Sequence, residues 1–140
     1  MQAAPATALP LHTHLEIAAL STGPGVVRGH IRAVALEWGL EELADTAELL
    51  ASELVTNALQ ASARLRATVP AVIRVWIISD GVSMVIHVWD ACPEMPVAQE
   101  AALDDDGGRG LMLVHELSKD WGAYRKAEGG KVVWAHIGAE

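Results

Sequence analysis

Two apolar runs, AVIRVWIIS at 71–79 and VSMVIHVWD at 82–90, flank the pair Asp80-Gly81. No other feature of the chain constrains its fold as tightly. Both runs are rich in β-branched and aromatic residues, and an Asp-Gly pair accepts the backbone angles of a tight turn. A β-hairpin is predicted here. Upstream, LHTHLEIAAL at 11–20 alternates, with His12, His14 and Glu16 on one face and Leu15, Ile17 and Ala19 on the other. That period of two predicts a half-buried strand, broken by STGPG at 21–25. Val27, Ile31, Val34 and Trp38 then recur at helical spacing, and Gly39 stands where a helix C-terminal glycine would. A second helix is predicted from about Glu41 to about Arg64, with Leu43, Ala47, Leu50, Leu54 and Ala58 as its apolar stripe. Pro70 closes the loop that follows.

Residues 91–109 differ in kind. Pro93, Pro96, the acids Asp104 to Asp106, Gly107 and Gly108 predict a long, mostly irregular segment. Such loops in compact domains are usually functional or disordered. GLMLVHELSKD then predicts a helix opening on glycines, with Leu111, Val114 and Leu117 facing inward. Two short strands, around WGAYRKA and KVVWAHI, meet across Glu128-Gly129-Gly130. Strands joined by hairpins, with helices between them, define an α+β fold. The expected architecture is a two-layer α/β sandwich whose mixed, mostly antiparallel sheet carries helices on one face. Residues 1–10, rich in Ala, Pro and Thr, are expected to be a flexible segment ahead of a single domain at 11–140.

Charge and cysteine content narrow the function classes. Ten Lys and Arg against 18 Asp and Glu give a formal charge of −8, which repels phosphate backbones and argues against nucleic acid as a partner. Cys92 is the chain's one cysteine and has no internal partner for a disulfide, which fits a reducing compartment. No apolar run approaches the roughly 20 residues of a membrane span. The start, MQAAPATALP, lacks the basic and apolar regions of a secretion signal. A soluble cytoplasmic domain is expected.

Three constellations could carry chemistry. Glu53 and Asn57 are four residues apart in ELVTN and stack on one helix face. A carboxylate and an amide oxygen so placed can accept a proton and hold a hard cation; the plainer reading is a solvated helix edge. Asp90 ends an apolar strand and needs donors there. A loop backbone or the exocyclic amine of a purine would each supply them. Gly107-Gly108-Arg109-Gly110 precedes a helix, so its backbone can approach an anion, and Arg109 adds a planar cation for phosphate oxygens. Most glycine-rich turns only connect, and the spacing matches neither a Walker A loop nor a dinucleotide fingerprint. His12 and His14 share a strand face, the pattern of surface imidazoles more often than of a metal site.

Taken in order, these segments resemble one family. ELVTNA is similar to the N-box of the GHKL ATPase superfamily, Asp90 with Pro93 to a reduced first glycine box, and GGRGLMLV to the second. PGVVRGHIRAVALEWGL before ELASELVTNA, and WG…GGKVVW at the end, narrow the resemblance to the bacterial anti-sigma-factor serine/threonine kinases, in their small stand-alone form. The resemblance implies the Bergerat fold, with ATP and Mg²⁺ held between helices and sheet. It implies that Asn57 coordinates Mg²⁺, that Glu53 is the general base for an incoming serine hydroxyl, and that Asp90 receives the adenine amine. Gly108, Arg109, Gly110 and Leu111 would wrap the phosphates, and residues 91–109 would form a lid. A sigma factor and an anti-anti-sigma protein are the implied partners, and a homodimer the implied assembly. Three positions depart from the family pattern. Ala91, Cys92 and Pro93 follow Asp90 where a glycine is expected. Gln60 and Ala61 replace a basic pair after the N-box. Val132 stands where a threonine near the adenine often follows Gly-Lys.

Two other functions compete with the kinase. One is a partner-sequestering module of the same fold with weak or no catalysis. The other is a sensor-kinase fragment, disfavoured because no dimerisation helix with a phospho-acceptor histidine precedes the domain.

Overall fold

The computed structural model describes residues 11–65, 71–96 and 106–138, with the side chains of 106–110 left aside. Strand β1 (Leu11–Ala18) leads into helix α1 (Gly23–Glu37); a 3₁₀ turn at Glu41–Leu43 then opens helix α2 (Ala44–Ala63). Strands β2 (Val72–Ser79) and β3 (Ser83–Asp90) form the predicted hairpin, and helix α3 (Asp106–Leu117) precedes strands β4 (Asp120–Arg125) and β5 (Lys131–Gly138).

The local chemistry explains the boundaries. In the hairpin turn, Asp80 Oδ1 accepts hydrogen bonds from the Val82 and Ser83 backbone N–H groups, and Gly81 takes φ +90°. Helix α1 starts earlier than predicted, because Pro24 lies in its first turn, where the missing N–H costs nothing. It ends as predicted. Gly39 adopts φ +73°, its N–H reaches the Leu36 carbonyl, and the Leu40 N–H reaches that of Ala35. These two bonds satisfy carbonyls that the helix itself leaves open.

The sheet has five strands in the order β1-β2-β3-β5-β4. Every pairing is antiparallel, so the expected mixed sheet is corrected to an antiparallel one. The reason is topological. β3 and β4 run the same way on either side of the α3 connection, but β5 folds back between them and keeps them from pairing.

Alternation sorts the sheet's two faces. Ile73, Val75 and Ile77 of β2, Met84, Ile86 and Val88 of β3, and Val133, Ala135 and Ile137 of β5 share one buried cluster with Val27 and Ile31 of α1, Leu50 and Leu54 of α2, and Val114 of α3. The helices therefore cover one face, as expected of a two-layer α+β sandwich. Of the inward positions predicted for α3, Leu111 and Val114 are buried, but Leu117, at the helix end, is 38% exposed. The other sheet face carries Arg74, Trp76, His87, Trp89 and Trp134. There the Trp76 and His87 rings stack at 4.8 Å, and Arg74 lies 4.8 Å above the Trp89 ring. Among the described residues no helix is long and apolar enough to cross a membrane.

Candidate functional site

Asp90 is the last residue of β3, the middle strand of the sheet, and its side chain falls on the helix-covered face beside Val88 and Ile86. It is 1% exposed. The loop after it supplies one donor, since the Cys92 backbone N–H reaches Asp90 Oδ1 at 2.8 Å. The β3–β5 register sets Lys131 directly opposite, and its ammonium donates to the same Oδ1 at 3.0 Å. The ammonium also lies 3.0 Å from Oδ2 and donates to the Cys92 carbonyl at 3.1 Å. Oδ2 is in ionic contact but receives no directed hydrogen bond. Burial pushes the Asp90 carboxyl above the ordinary carboxylate range, while Lys131 pulls against that rise. Both readings of Asp90 therefore have a footing: the loop backbone does supply a donor, and one oxygen retains acceptor capacity.

Lys131 is the residue that sequence reasoning missed. The family comparison pointed to Val132 as the position near the adenine. The register places Val132 opposite Trp89, on the face away from Asp90, and puts Lys131 beside the carboxylate. KVVWAHI is apolar at nearly every position after Lys131, so alternation alone did not say which residues face the helices. The signal that could have found the pair is a lone lysine opening an apolar strand opposite a lone aspartate closing another.

Glu53 and Asn57 lie in α2 one turn apart, as expected, and both are half-buried. α2 also packs against α3. Gly108, Arg109 and Gly110 fall inside α3, which begins at Asp106, so Gly108 and Arg109 belong to its first turn and Gly110 follows it, rather than forming a loop ahead of it. The first N–H groups of a helix lack internal partners, so the glycine backbone still presents donors suited to an anion. Leu111 follows and is 2% exposed, which commits its side chain to packing.

Only part of the expected lid falls within the described residues. Residues 91–96 have no regular structure, as expected, yet they are fastened: Cys92 by Asp90 and Lys131, the Pro93 carbonyl by Arg125 Nε at 3.0 Å, and Glu94 by Arg64 at 3.3 Å. Residues 106–109 are helical. The lid expectation for 97–105, and the flexible segment expected at 1–10, lie outside the described residues. His12 and His14 are exposed, and among the described residues no group of three or more His, Cys, Asp or Glu side chains is placed to hold a metal. A separate cleft of about 390 Å³ lies on the opposite sheet face, lined by Arg74, Trp76, Trp89, Lys126, Glu128 and Gly129. It contains none of Glu53, Asn57 or Asp90.

An antiparallel sheet covered by helices on one face, with a buried carboxylate ending its middle strand and a glycine-rich helix start, defines a two-layer α+β sandwich like that of the GHKL ATPases. Residues 19–137 match the histidine kinase-like ATPase domain. The chain belongs to that family, within the GHKL superfamily, and ATP binding is the activity this membership supports. A comparison with curated proteins finds no match.

Proposed function

We propose that this protein is an ATP-dependent serine/threonine kinase of the anti-sigma-factor type, which binds a sigma factor and phosphorylates an anti-anti-sigma protein. The observation that carries the reading is the stacking of Glu53 and Asn57 one turn apart on α2, the helix that joins the covered sheet face to α3 and its glycine-rich first turn. The residues fit the nucleotide in kind. Asn57 would offer its amide oxygen to Mg²⁺, a hard cation that prefers oxygen ligands. The α3 N-terminus offers backbone donors to the phosphates. Bound Mg·ATP would supply the phosphoryl group and neutralise charge as it moves. Glu53 then accepts the serine proton, a step that typically contributes on the order of 10²–10⁴-fold. The partners, the homodimer and the use of Mg²⁺ belong to the same proposal and come from the resemblance; the cytoplasmic setting belongs to it too and rests on the lone Cys92 and the lack of an apolar span.

A phosphotransfer assay with labelled ATP and a cognate anti-anti-sigma protein tests it. Asn57→Ala loses metal-dependent ATP binding and transfer together. Glu53→Ala keeps binding and loses transfer, because it removes an interaction made only in the transition state. Transfer by Glu53→Ala at the parental rate refutes the role given to Glu53. The second reading, a sequestering module with little catalysis, is favoured by the ion pair between Lys131 and Asp90. It prevails if the parent binds a sigma factor but transfers no phosphate to any cognate partner.

A further inference from the structure

The carboxylate that would receive the base's amine already holds an amine of the protein's own. The Lys131 ammonium lies 3.0 Å from each oxygen of Asp90 and donates to the Cys92 carbonyl at 3.1 Å. Both charged side chains are 1% exposed. A purine's exocyclic amine is a neutral donor; Oδ1 is already taken by the Lys131 ammonium and the Cys92 N–H, so the amine would have to share Oδ2 with an ammonium 3.0 Å away. Hydrogen bonds from a charged donor are roughly twice as strong as neutral ones. Moving Lys131 aside would also leave its charge without the partner that makes burial tolerable.

The backbone holds this arrangement in place. Asp90 and Lys131 are direct cross-strand partners, so Lys131 cannot leave by a simple slip of register. Gly130, at φ +77°, brings the start of β5 so close to β3 that a Cβ there would collide with the Asp90 carbonyl oxygen. Trp89 Nε1 donates to the Gly129 carbonyl at 3.0 Å and fixes the same turn. Lys131 therefore enters the site from a turn pinned on both sides of the strand pair.

We infer that Lys131 is a built-in competitor for the base: its ammonium bonds Oδ1 and lies against Oδ2 of Asp90, so the folded pocket does not favour a purine with a 6-amine over one with a 6-oxo group. This rests on the nucleotide-binding reading of the site. Adenine presents a donor at position 6, whereas hypoxanthine presents an acceptor there. A site that meets the base with a lysine donor gains nothing from the amine. A site with a bare Asp90 gains a hydrogen bond to a buried charged acceptor.

The experiment is calorimetric titration of the whole chain with Mg·ATP and Mg·ITP, whose bases differ at position 6. The parent is expected to bind ATP no more than about threefold more tightly than ITP. Lys131→Thr, which frees Asp90, is expected to bind ATP about tenfold more tightly than the parent and to prefer ATP over ITP by about tenfold, the worth of one such hydrogen bond. Asp90→Ala/Lys131→Thr, which removes both buried charges, is expected to lose that preference. If Lys131→Thr does not fold, the parent's ATP-to-ITP ratio decides alone. A parent that prefers ATP tenfold or more overturns the inference, because Asp90 then reads the amine with Lys131 present. Unchanged or weaker ATP binding by folded Lys131→Thr overturns it as well and leaves the nucleotide reading standing. Absence of binding by parent and variants alike overturns both.

Discussion

His87 sits in the middle strand on the sheet face that carries no helix, yet it is 3% exposed and stacked on Trp76. Burial lowers its pKa from 6.5 to about 4. The folded chain therefore keeps the imidazole neutral where the unfolded chain protonates it. Stability is intact above about pH 6.5 and falls as the pH drops toward 4, because the unfolded state binds the extra proton. At about 1.36 kcal/mol per pH unit, roughly 3 kcal/mol is lost over that window. His87→Phe keeps a ring against Trp76 and removes the titration. Urea unfolding of both proteins from pH 7 to 4.5 should show the parent losing more stability than the variant; parallel profiles would refute the assignment. Residue identity decides just as sharply at glycines. Gly39 and Gly130 both have positive φ, but a Cβ on Gly39 meets nothing within 4 Å, whereas one on Gly130 strikes the Asp90 carbonyl. Gly39→Ala should cost only backbone strain, about 1–2 kcal/mol. Gly130→Ala should add overpacking, for a total of about 2–5 kcal/mol. Denaturant midpoints of the two variants check the order, and equal losses would contradict it.

At the scale of elements, the hairpin β2–β3 and the pairing β3–β5 do different jobs. The hairpin is local: Asp80 closes the turn with its own side chain, and hydrogen bonds from the Ser83 and Val82 backbone hold its carboxyl below the ordinary range. The β3–β5 pairing joins segments far apart in sequence, and it builds the candidate site by placing Asp90 against Lys131. The loop after β3 is secured from both sides, by Arg64 at the end of α2 and by Arg125 at the end of β4. Native-state hydrogen exchange should therefore show the Cys92 amide, which donates to the buried Asp90, protected to the level of the β3 amides. Exchange of Cys92 at the rate of an open loop would mean that the fastening does not persist in solution.

At the scale of the whole molecule, the helices gather on one face and leave the other to a mixed surface that includes the rings of Trp76, His87, Trp89 and Trp134 with Arg74 among them. Trp76 and Trp89 with Arg74 and Lys126 line the cleft there, while Asp90 and Lys131 belong to the covered side. The sheet thus separates two chemically different surfaces. Asp90 and Trp89 are neighbours in sequence but serve opposite ones, because successive strand residues point to opposite faces. A substitution at Trp89 should leave ATP binding within about twofold of the parent unless it shifts the β4–β5 turn through its bond to Gly129. Trp89→Phe, which lacks that donor, tested by ATP titration and by thermal unfolding, separates the two effects. A large loss of ATP binding with unchanged stability would place Trp89 in the nucleotide site and contradict the separation.

By itself the sequence determined whatever depends on neighbours along the chain. The hairpin at Asp80-Gly81, the α1 stripe with its closing Gly39 and the stacking of Glu53 with Asn57 all follow from local spacing and backbone preference. So do the order of elements and the resemblance to an ATPase family. The tertiary structure decided what depends on register between distant strands. It made the sheet wholly antiparallel by folding β5 between β3 and β4, and it buried His87 on a face without helices. It also set Lys131, not Val132, against Asp90. Periodicity could not supply these, because an apolar strand such as KVVWAHI fits either face equally well until pairing with β3 fixes which residues meet the core.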